Sequence, residues 1–284
     1  MSQPSAQRVA NEVANQELSE REFAQFCQLV RQATGIQLGN GKQTMLQRRL
    51  ASRLQDLALP DFAAYLAYLE QGHLDELQLF INAVTTNLTA FFRETHHFEH
   101  LAKQLAGRAH LPGHDRLRIW SAACSSGEEP YSIALTLLGT PGACATDTRI
   151  LATDIDSAMV ARAASGVYPA SDIEKLGRPE LHRWFQRSTS DGGSQIRMRR
   201  EVRSLISFKR LNLLERWPMC GPFDAVFCRN VMIYFDKDTQ RTLVDRIADL
   251  LRPNGLLYIG HSESLFSVSD RFELLGKTAY RRIL

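Results

Sequence analysis

Residues 121–132, SAACSSGEEPYS, follow the apolar run Leu117, Ile119, Trp120 and lead into Ile133, Ala134, Leu135 and Leu137. The pattern predicts a strand, a tight turn and a helix, which is the place where open α/β sheets bind nucleotide-like ligands. The small residues Ser121, Ala122, Ala123, Ser125, Ser126 and Gly127 let a ligand approach the backbone, and the following helix offers its unpaired N–H groups.

A phosphate-binding turn would run G-x-G-x-x-G or end in Gly-Lys-Ser, but Glu128 and Glu129 stand there instead. Two carboxylates repel a pyrophosphate, suit the positive end of the helix dipole, and could face a ligand that carries positive charge. S-adenosylmethionine, with its sulfonium and ammonium groups, fits that description. Taken alone, the pair is more often simple decoration of a helix N-terminus, so the rest of the chain has to decide.

With 284 residues, 44% hydrophobic and 23% charged, the chain has ordinary globular composition and room for a core domain with a smaller partner. No apolar run approaches the roughly 20 residues that span a bilayer. The opening MSQPSAQRVANEVANQ has no signal-peptide core. The expected location is cytoplasmic, without membrane insertion. Cys27, Cys124, Cys144, Cys220 and Cys228 are odd in number and form no C-x-x-C pair, which argues against a disulfide framework or zinc ribbon and for mostly buried thiols. A net charge of +3 is too mild to imply nucleic acid.

Ser19 and Glu22 form a capping box ahead of Phe23, Phe26, Cys27 and Val30, with Gly35 as the stop, so a first helix is expected there. A second is expected from about Lys42 to Leu57, a third after Pro60 and Asp61, and a fourth through Leu74, Leu77, Phe80, Ile81 and Val84. Strands alternating with helices follow: LRIW, RILATD at 149–154, SLISFKRL at 204–211, DAVFCRN at 224–230 and LLYIG at 256–260. That order predicts a parallel, doubly wound sheet. Pro253, Asn254 and Gly255 read as a turn before the last of these, and the end as a hairpin around Gly276. Residues 187–203, with Gly192, Gly193, Ile196 and Met198, read as an inserted β excursion. The expected division is an all-α N-terminal domain over 1–84, a linker over 85–95 that contributes to the ligand site, and an α/β domain over 96–284.

Asp154 ends an apolar strand 27 residues after Gly127, where a doubly wound fold sets a carboxylate on ribose hydroxyls; the bland alternative makes Asp154 or Asp156 a helix N-cap. Asn212, Leu213 and Leu214 could frame an adenine. Asn230 and Tyr234 lie in CRNVMIYF at the end of the fourth strand, and TTNLTAFFRE at 85–94 offers Asn87, Thr89 and Arg93. On the second helix, Leu46, Leu50, Leu54 and Leu57 make one stripe flanked by Lys42, Arg49 and Arg53, and no acidic residue occurs between Glu22 and Asp56. Five unbalanced positive charges there favour an acidic partner. On that reading Arg49→Glu weakens partner binding and spares the ligand site. His96 and His100 have helical spacing, but no third ligand is evident and no metal is expected.

Together TTNLTAFFRE, SAACSSGEEPYSIA, ATDID, NLLE, FDAVFCRNVMIYF and LRPNGLLYIGHSES closely resemble the chemotaxis receptor methyltransferases of the CheR type, in order and over nearly the whole chain. The resemblance implies a Rossmann-like methyltransferase domain with a small inserted β-subdomain, preceded by an all-α domain. It implies S-adenosylmethionine as methyl donor, S-adenosylhomocysteine as product, and glutamate side chains of the cytoplasmic domain of bacterial chemoreceptors as acceptors. By the same resemblance Asn87, Thr89 and Arg93 hold the donor's methionine end, Glu129 lies near its ammonium and Asp154 on its ribose. Asn212 and Leu213 frame the adenine, Asn230 and Val231 line the pocket, and Arg93 and Tyr234 steer the acceptor. The inserted excursion corresponds to a subdomain that in some members binds a receptor C-terminal peptide by strand addition. Three other readings compete: a nucleic-acid methyltransferase, which predicts a more basic chain and salt-sensitive binding; a donor-binding sensor without turnover; and a nicotinamide dehydrogenase, which lacks its glycine fingerprint.

Overall fold

A computed structural model of the protein describes residues 17–108, 115–187 and 194–283. The expectations for the N-terminal leader and for Gly192 and Gly193 fall outside them. The chain divides into two compact units, Met1–Thr86 and Asn87–Leu284, so the segment 87–95 groups with the second unit instead of standing as a separate linker.

The first unit is all helical: α1 (Glu20–Thr34), α2 (Gln43–Asp56), α3 (Phe62–Glu70) and α4 (Leu74–Val84). Its starts follow local chemistry. Ser19 and Glu22 make the reciprocal capping box, Gly35 closes α1 in the left-handed conformation, and Asp61 caps α3 through Ala64 N–H. Phe26 is the centre of the core, with its ring 5.8 Å from Phe80, 6.1 Å from Tyr65 and 6.3 Å from Phe62.

The two arginines expected to serve an acidic partner are spent within this unit, which corrects the picture of an unbalanced basic flank. Arg53 grips Glu76 of α4 with two bonds of 2.9 and 2.6 Å, and Tyr65 Oη donates to the same carboxylate at 2.7 Å. Arg53 also pairs with Asp56 of its own helix at 2.6 Å, while the buried counter-charge, Glu76, lies 23 residues away in sequence, beyond any reading of α2 alone. Arg49 donates to the carbonyls of Val84 and Thr85 at 3.0 and 2.6 Å, satisfying the open end of α4. Lys42 and Arg48 are exposed. Arg53→Ala leaves the buried Glu76 uncompensated, so a loss of about 3 kcal/mol is expected. Arg49→Glu, which sets a carboxylate against carbonyls, is also expected to destabilise the unit. Urea denaturation checks both; an unchanged transition in either variant contradicts the assignment.

The second unit holds a seven-stranded sheet in the order β6-β2-β1-β7-β8-β10-β9. The strands are β1 (Arg116–Ala122), β2 (Asp147–Asp154), β6 (Ile206–Arg210), β7 (Phe223–Cys228), β8 (Leu251–Tyr258), β9 (Phe272–Gly276) and β10 (Ala279–Arg282). The first five are parallel and β10 runs antiparallel to both neighbours. Helices α5 (His96–Leu105), α6 (Glu128–Gly139), α7 (Ser157–Ser165) and α10 (Lys237–Leu250) belong to the same unit. Pro253-Asn254-Gly255 does not precede β8 but bulges within it. The pairing jumps from Phe223↔Leu251 to Ala225↔Leu256 and Asn254 takes φ 60°. The closing hairpin turns at Lys277 and Thr278, both left-handed, the conformation a two-residue hairpin needs.

The inserted excursion is an antiparallel sheet in the order β3-β5-β4, made of β3 (Val167–Pro169), β4 (Phe185–Arg187) and β5 (Gln195–Met198), with short helices α8 (Ala170–Glu174) and α9 (Arg200–Arg203). It begins at Val167, twenty residues ahead of the expected 187, and 200–203 are helical. Ile196 and Met198 are buried while Gln195 and Arg197 are exposed, the alternation of a one-sided strand.

Candidate active site

Sheet order reverses at β1: the chain goes first to β2 and β6 on one side and then to β7 and β8 on the other. Such a switch point opens a crevice at the carboxyl ends of the strands. The turn after β1 is drawn tight by Ala123, Ser125 and Gly127, with φ of 61°, 50° and 97°. Cys124 N–H donates to the Thr153 carbonyl at 2.9 Å and Ser125 N–H to Asp154 Oδ2 at 2.7 Å, which ties the turn to the end of β2. Tyr168 Oη donates to the Ser126 carbonyl at 2.7 Å.

The two glutamates at the start of α6 do different work. Glu128 accepts from Ser126 Oγ at 2.7 Å and so closes the turn; burial raises its carboxyl above the ordinary value. Glu129 accepts from Ser121 Oγ at 2.7 Å through Oε1 and from Arg229 at 3.0 Å through Oε2.

Asp154 is buried, and its second oxygen accepts from Asp156 N–H at 2.9 Å. Burial lifts its carboxyl to about 6, against the lowering effect of these backbone donors. Asp156 is the N-cap of α7, accepting from Ala158 and Met159 N–H, as the bland alternative had it. Its other oxygen accepts from Asn87 Nδ2 at 2.7 Å, and the Asn87 carbonyl accepts from Ser125 Oγ at 3.2 Å. Asn87 is therefore brought to the turn and to the end of β2 together.

Further along that segment Thr89 and Arg93 are half-buried, and Arg93 donates to the Leu88 carbonyl at 2.9 Å. Phe92 and Glu94, on either side of Arg93, both take left-handed φ, 54° and 59°. Phe92 N–H is held by Ser132 Oγ of α6 at 2.8 Å. Glu94 accepts from His261 Nδ1 at 2.9 Å and lies 3.2 Å from Arg229. Burial alone would raise its carboxyl, but these two partners hold it at about 2.

After β7, Asn230 takes φ 58° and its N–H donates to Glu263 Oε2 at 2.9 Å. Glu263 also accepts from Gly260 at 2.5 Å and Ile233 at 3.3 Å, so one buried carboxylate holds the loop that carries Asn230, Val231 and Tyr234. Val231 and Tyr234 are half-buried. Beyond β6, the Asn212 side chain accepts from Leu214 N–H at 3.0 Å and donates to Glu215, and Leu213 is buried. That half-buried asparagine braces its own turn.

Sequence reasoning passed over Arg229, Glu94 and Glu263. All three sit inside quoted motifs, but they meet partners from other motifs: Glu129 lies 100 residues before Arg229, and Asn230 33 residues before Glu263. The expected spacing of His96 and His100 is not what converges. Among the described residues Glu94, His96 and His97 bring ligand atoms within 4.8 Å of one another, while His100 bonds Tyr258 Oη. Arg229 beside Glu94 already supplies the positive charge there, and His97 Nε2 is taken by the Lys277 carbonyl at 2.9 Å.

A doubly wound sheet with buried carboxylates where a cationic, ribose-bearing ligand would lie, and no phosphate turn, defines a Rossmann-like methyltransferase domain. The donor set fits S-adenosylmethionine: carboxylates for ammonium and ribose, arginine for carboxylate, asparagines for amide-type contacts. The family described as CheR methyltransferase, SAM binding domain, matches residues 87–281, and its all-alpha domain matches residues 21–85. Chemotaxis protein methyltransferase of Salmonella typhimurium is 46% identical over 265 residues, covering 93% of this chain and 90% of that protein. Chemotaxis protein methyltransferase 2 of Pseudomonas aeruginosa is 45% identical, covering 94% and 95%. The chain belongs to the CheR methyltransferase family, with S-adenosylmethionine as its methyl donor.

Proposed function

We propose that the protein methylates glutamate carboxylates on the cytoplasmic domain of bacterial chemoreceptors, giving glutamate methyl esters and S-adenosylhomocysteine. The observation that carries this reading is the match across both units to chemotaxis protein methyltransferases at 46% identity.

S-adenosylmethionine supplies a methyl group on a sulfonium leaving group. The acceptor glutamate, with an ordinary pKa of about 4.3, is already ionised at neutral pH, so attack needs no general base. What remains for the protein is in-line placement, an effect on the order of 7–11 kcal/mol when orientation is complete. Asn87, Thr89 and Arg93 hold the methionine end, Glu129 takes the ammonium, and Asp154 accepts from the ribose hydroxyls. Asn212 and Leu213 frame the adenine; Asn230 and Val231 line the pocket; Arg93 and Tyr234 steer the incoming carboxylate. On the helical unit the exposed Lys42 and Arg48 are left for an acidic receptor surface, since Arg49 and Arg53 are engaged internally. The small β-sheet adjoins a cavity of about 250 Å³ lined by Ala170, Ile173, Phe185, Ile196, His182 and Arg187 among others. Its apolar floor suits an aromatic side chain of a receptor peptide; Glu174 also lines it and pairs with Arg187 at 2.8 Å.

Incubation with radiolabelled S-adenosylmethionine and chemoreceptor-bearing membranes, with and without that peptide as competitor, tests the proposal. Base-labile label on the receptor is expected, reduced by the peptide. Donor binding without any labelled receptor would overturn it, and label insensitive to peptide would remove the β-sheet from the argument.

A further inference from the structure

The two segments assigned to the donor's amino-acid end, the stretch that carries Arg93 and the start of α6, meet on the side chain of Arg229. Arg229 has 2% of its side chain exposed. One terminal nitrogen donates to Glu129 Oε2 at 3.0 Å; the other donates to the Arg93 carbonyl at 2.5 Å and lies 3.2 Å from Glu94 Oε2. The guanidinium carbon sits 5.7 Å from the centre of the Phe98 ring. A buried cation of this kind persists only when it is paired, and here its partners come from two separate stretches of chain, 93–98 and the start of α6. The planar fork of arginine can span two carboxylates and a carbonyl at once, which an ammonium on a flexible stem cannot.

Charge decides what the cluster can do. Glu94 and Glu129 set two carboxylates against one guanidinium, with His261 Nδ1 on Glu94 at 2.9 Å. That balance accommodates one ammonium without leaving an uncompensated pair of carboxylates in the ligand-free site.

We propose that Arg229 is the positioning residue for the donor's amino-acid end, locking the Glu129 carboxylate and the backbone of Arg93 into one frame that receives an ammonium and a carboxylate. The inference rests on the reading above that Glu129 meets the donor's ammonium.

The test uses the full chain with Arg229→Lys, Arg229→Met and Glu129→Gln, and two ligands measured by calorimetry: S-adenosylmethionine, and 5′-methylthioadenosine, which lacks the amino-acid end. Arg229→Met is expected to weaken S-adenosylmethionine by roughly 30–100-fold, as loss of charge-assisted hydrogen bonds implies, and to change methylthioadenosine less than about twofold. Arg229→Lys, which keeps the charge and is the more conservative change for folding, is expected to recover part of the loss and to raise the donor KM more than it lowers kcat. Equal loss for both ligands in Arg229→Lys, or no loss for either, overturns the proposal and leaves Arg229 a structural ion pair. If Glu129→Gln leaves S-adenosylmethionine affinity unchanged, it is the placement of Glu129 on the ammonium that fails.

Discussion

Asp154→Asn is expected to weaken S-adenosylmethionine binding by roughly 100-fold, the loss of a charged acceptor for two ribose hydroxyls, and to abolish a pH dependence that the unaltered protein carries. Burial holds the Asp154 carboxyl at about 6 rather than 3.8. At pH 5 about nine in ten molecules then carry the protonated form, a poorer acceptor, so donor affinity should rise about tenfold from pH 5 to 7.5 and level off. The sign for stability is opposite. A carboxyl whose folded value lies above its unfolded one favours the native state at low pH, and that contribution is lost as pH rises from about 4 to about 6. Donor binding should therefore give the larger thermal shift above pH 6. Calorimetry from pH 5 to 8 checks the affinity; a flat profile in the unaltered protein would show that this carboxylate does not bear on the ligand.

Gly127→Ala is expected to be strongly destabilising. The residue takes φ 97°, and an added Cβ would stand 2.7 Å from Ala163 Cβ and 2.8 Å from Tyr168 Oη. The left-handed backbone costs an alanine about 1 kcal/mol and overpacking a further 1–3 kcal/mol or so. A fall in melting temperature of roughly 5–15 °C follows for a unit of this size. Because Tyr168 Oη holds the Ser126 carbonyl, relief of the clash would shift the turn and weaken the donor as well. A melting temperature within a degree of the parent would contradict the geometry.

How far these features could be read in advance depended on range. Ser19 with Glu22, Asp61, Gly35 and the apolar runs of β1, β2 and β7 act within a few residues of themselves, so pattern alone located them. Asp154 stood out as a candidate because strand ends in a doubly wound sheet converge on one crevice, whereas Asn87 was singled out from its motif, not from a strand. Arg53 looked like a surface charge because its buried partner, Glu76, lies in another helix, although Asp56 three residues on also pairs with it. Arg229 looked like an ordinary polar residue at a strand end because both its carboxylates arrive from distant segments. Strands of three residues such as β3 and β4 are too short for periodicity to register, and Pro253-Asn254-Gly255 carries the same letters whether it ends a strand or bulges it.

Five non-glycine residues along the crevice, Phe92, Glu94, Ala123, Ser125 and Asn230, share the left-handed backbone. Each holds a conformation that costs a side-chain-bearing residue on the order of 1–3 kcal/mol, offset by the hydrogen bonds of Ser132, Asp154 and Glu263. The crevice is thus shaped by its own backbone and the hydrogen bonds that hold it, and its evolutionary freedom is bounded twice. At these positions glycine or asparagine is the gentle replacement and a β-branched residue the harsh one, whatever the side chain contributes to chemistry. Drift in this wall of the pocket is governed as much by peptide geometry as by what the pocket holds.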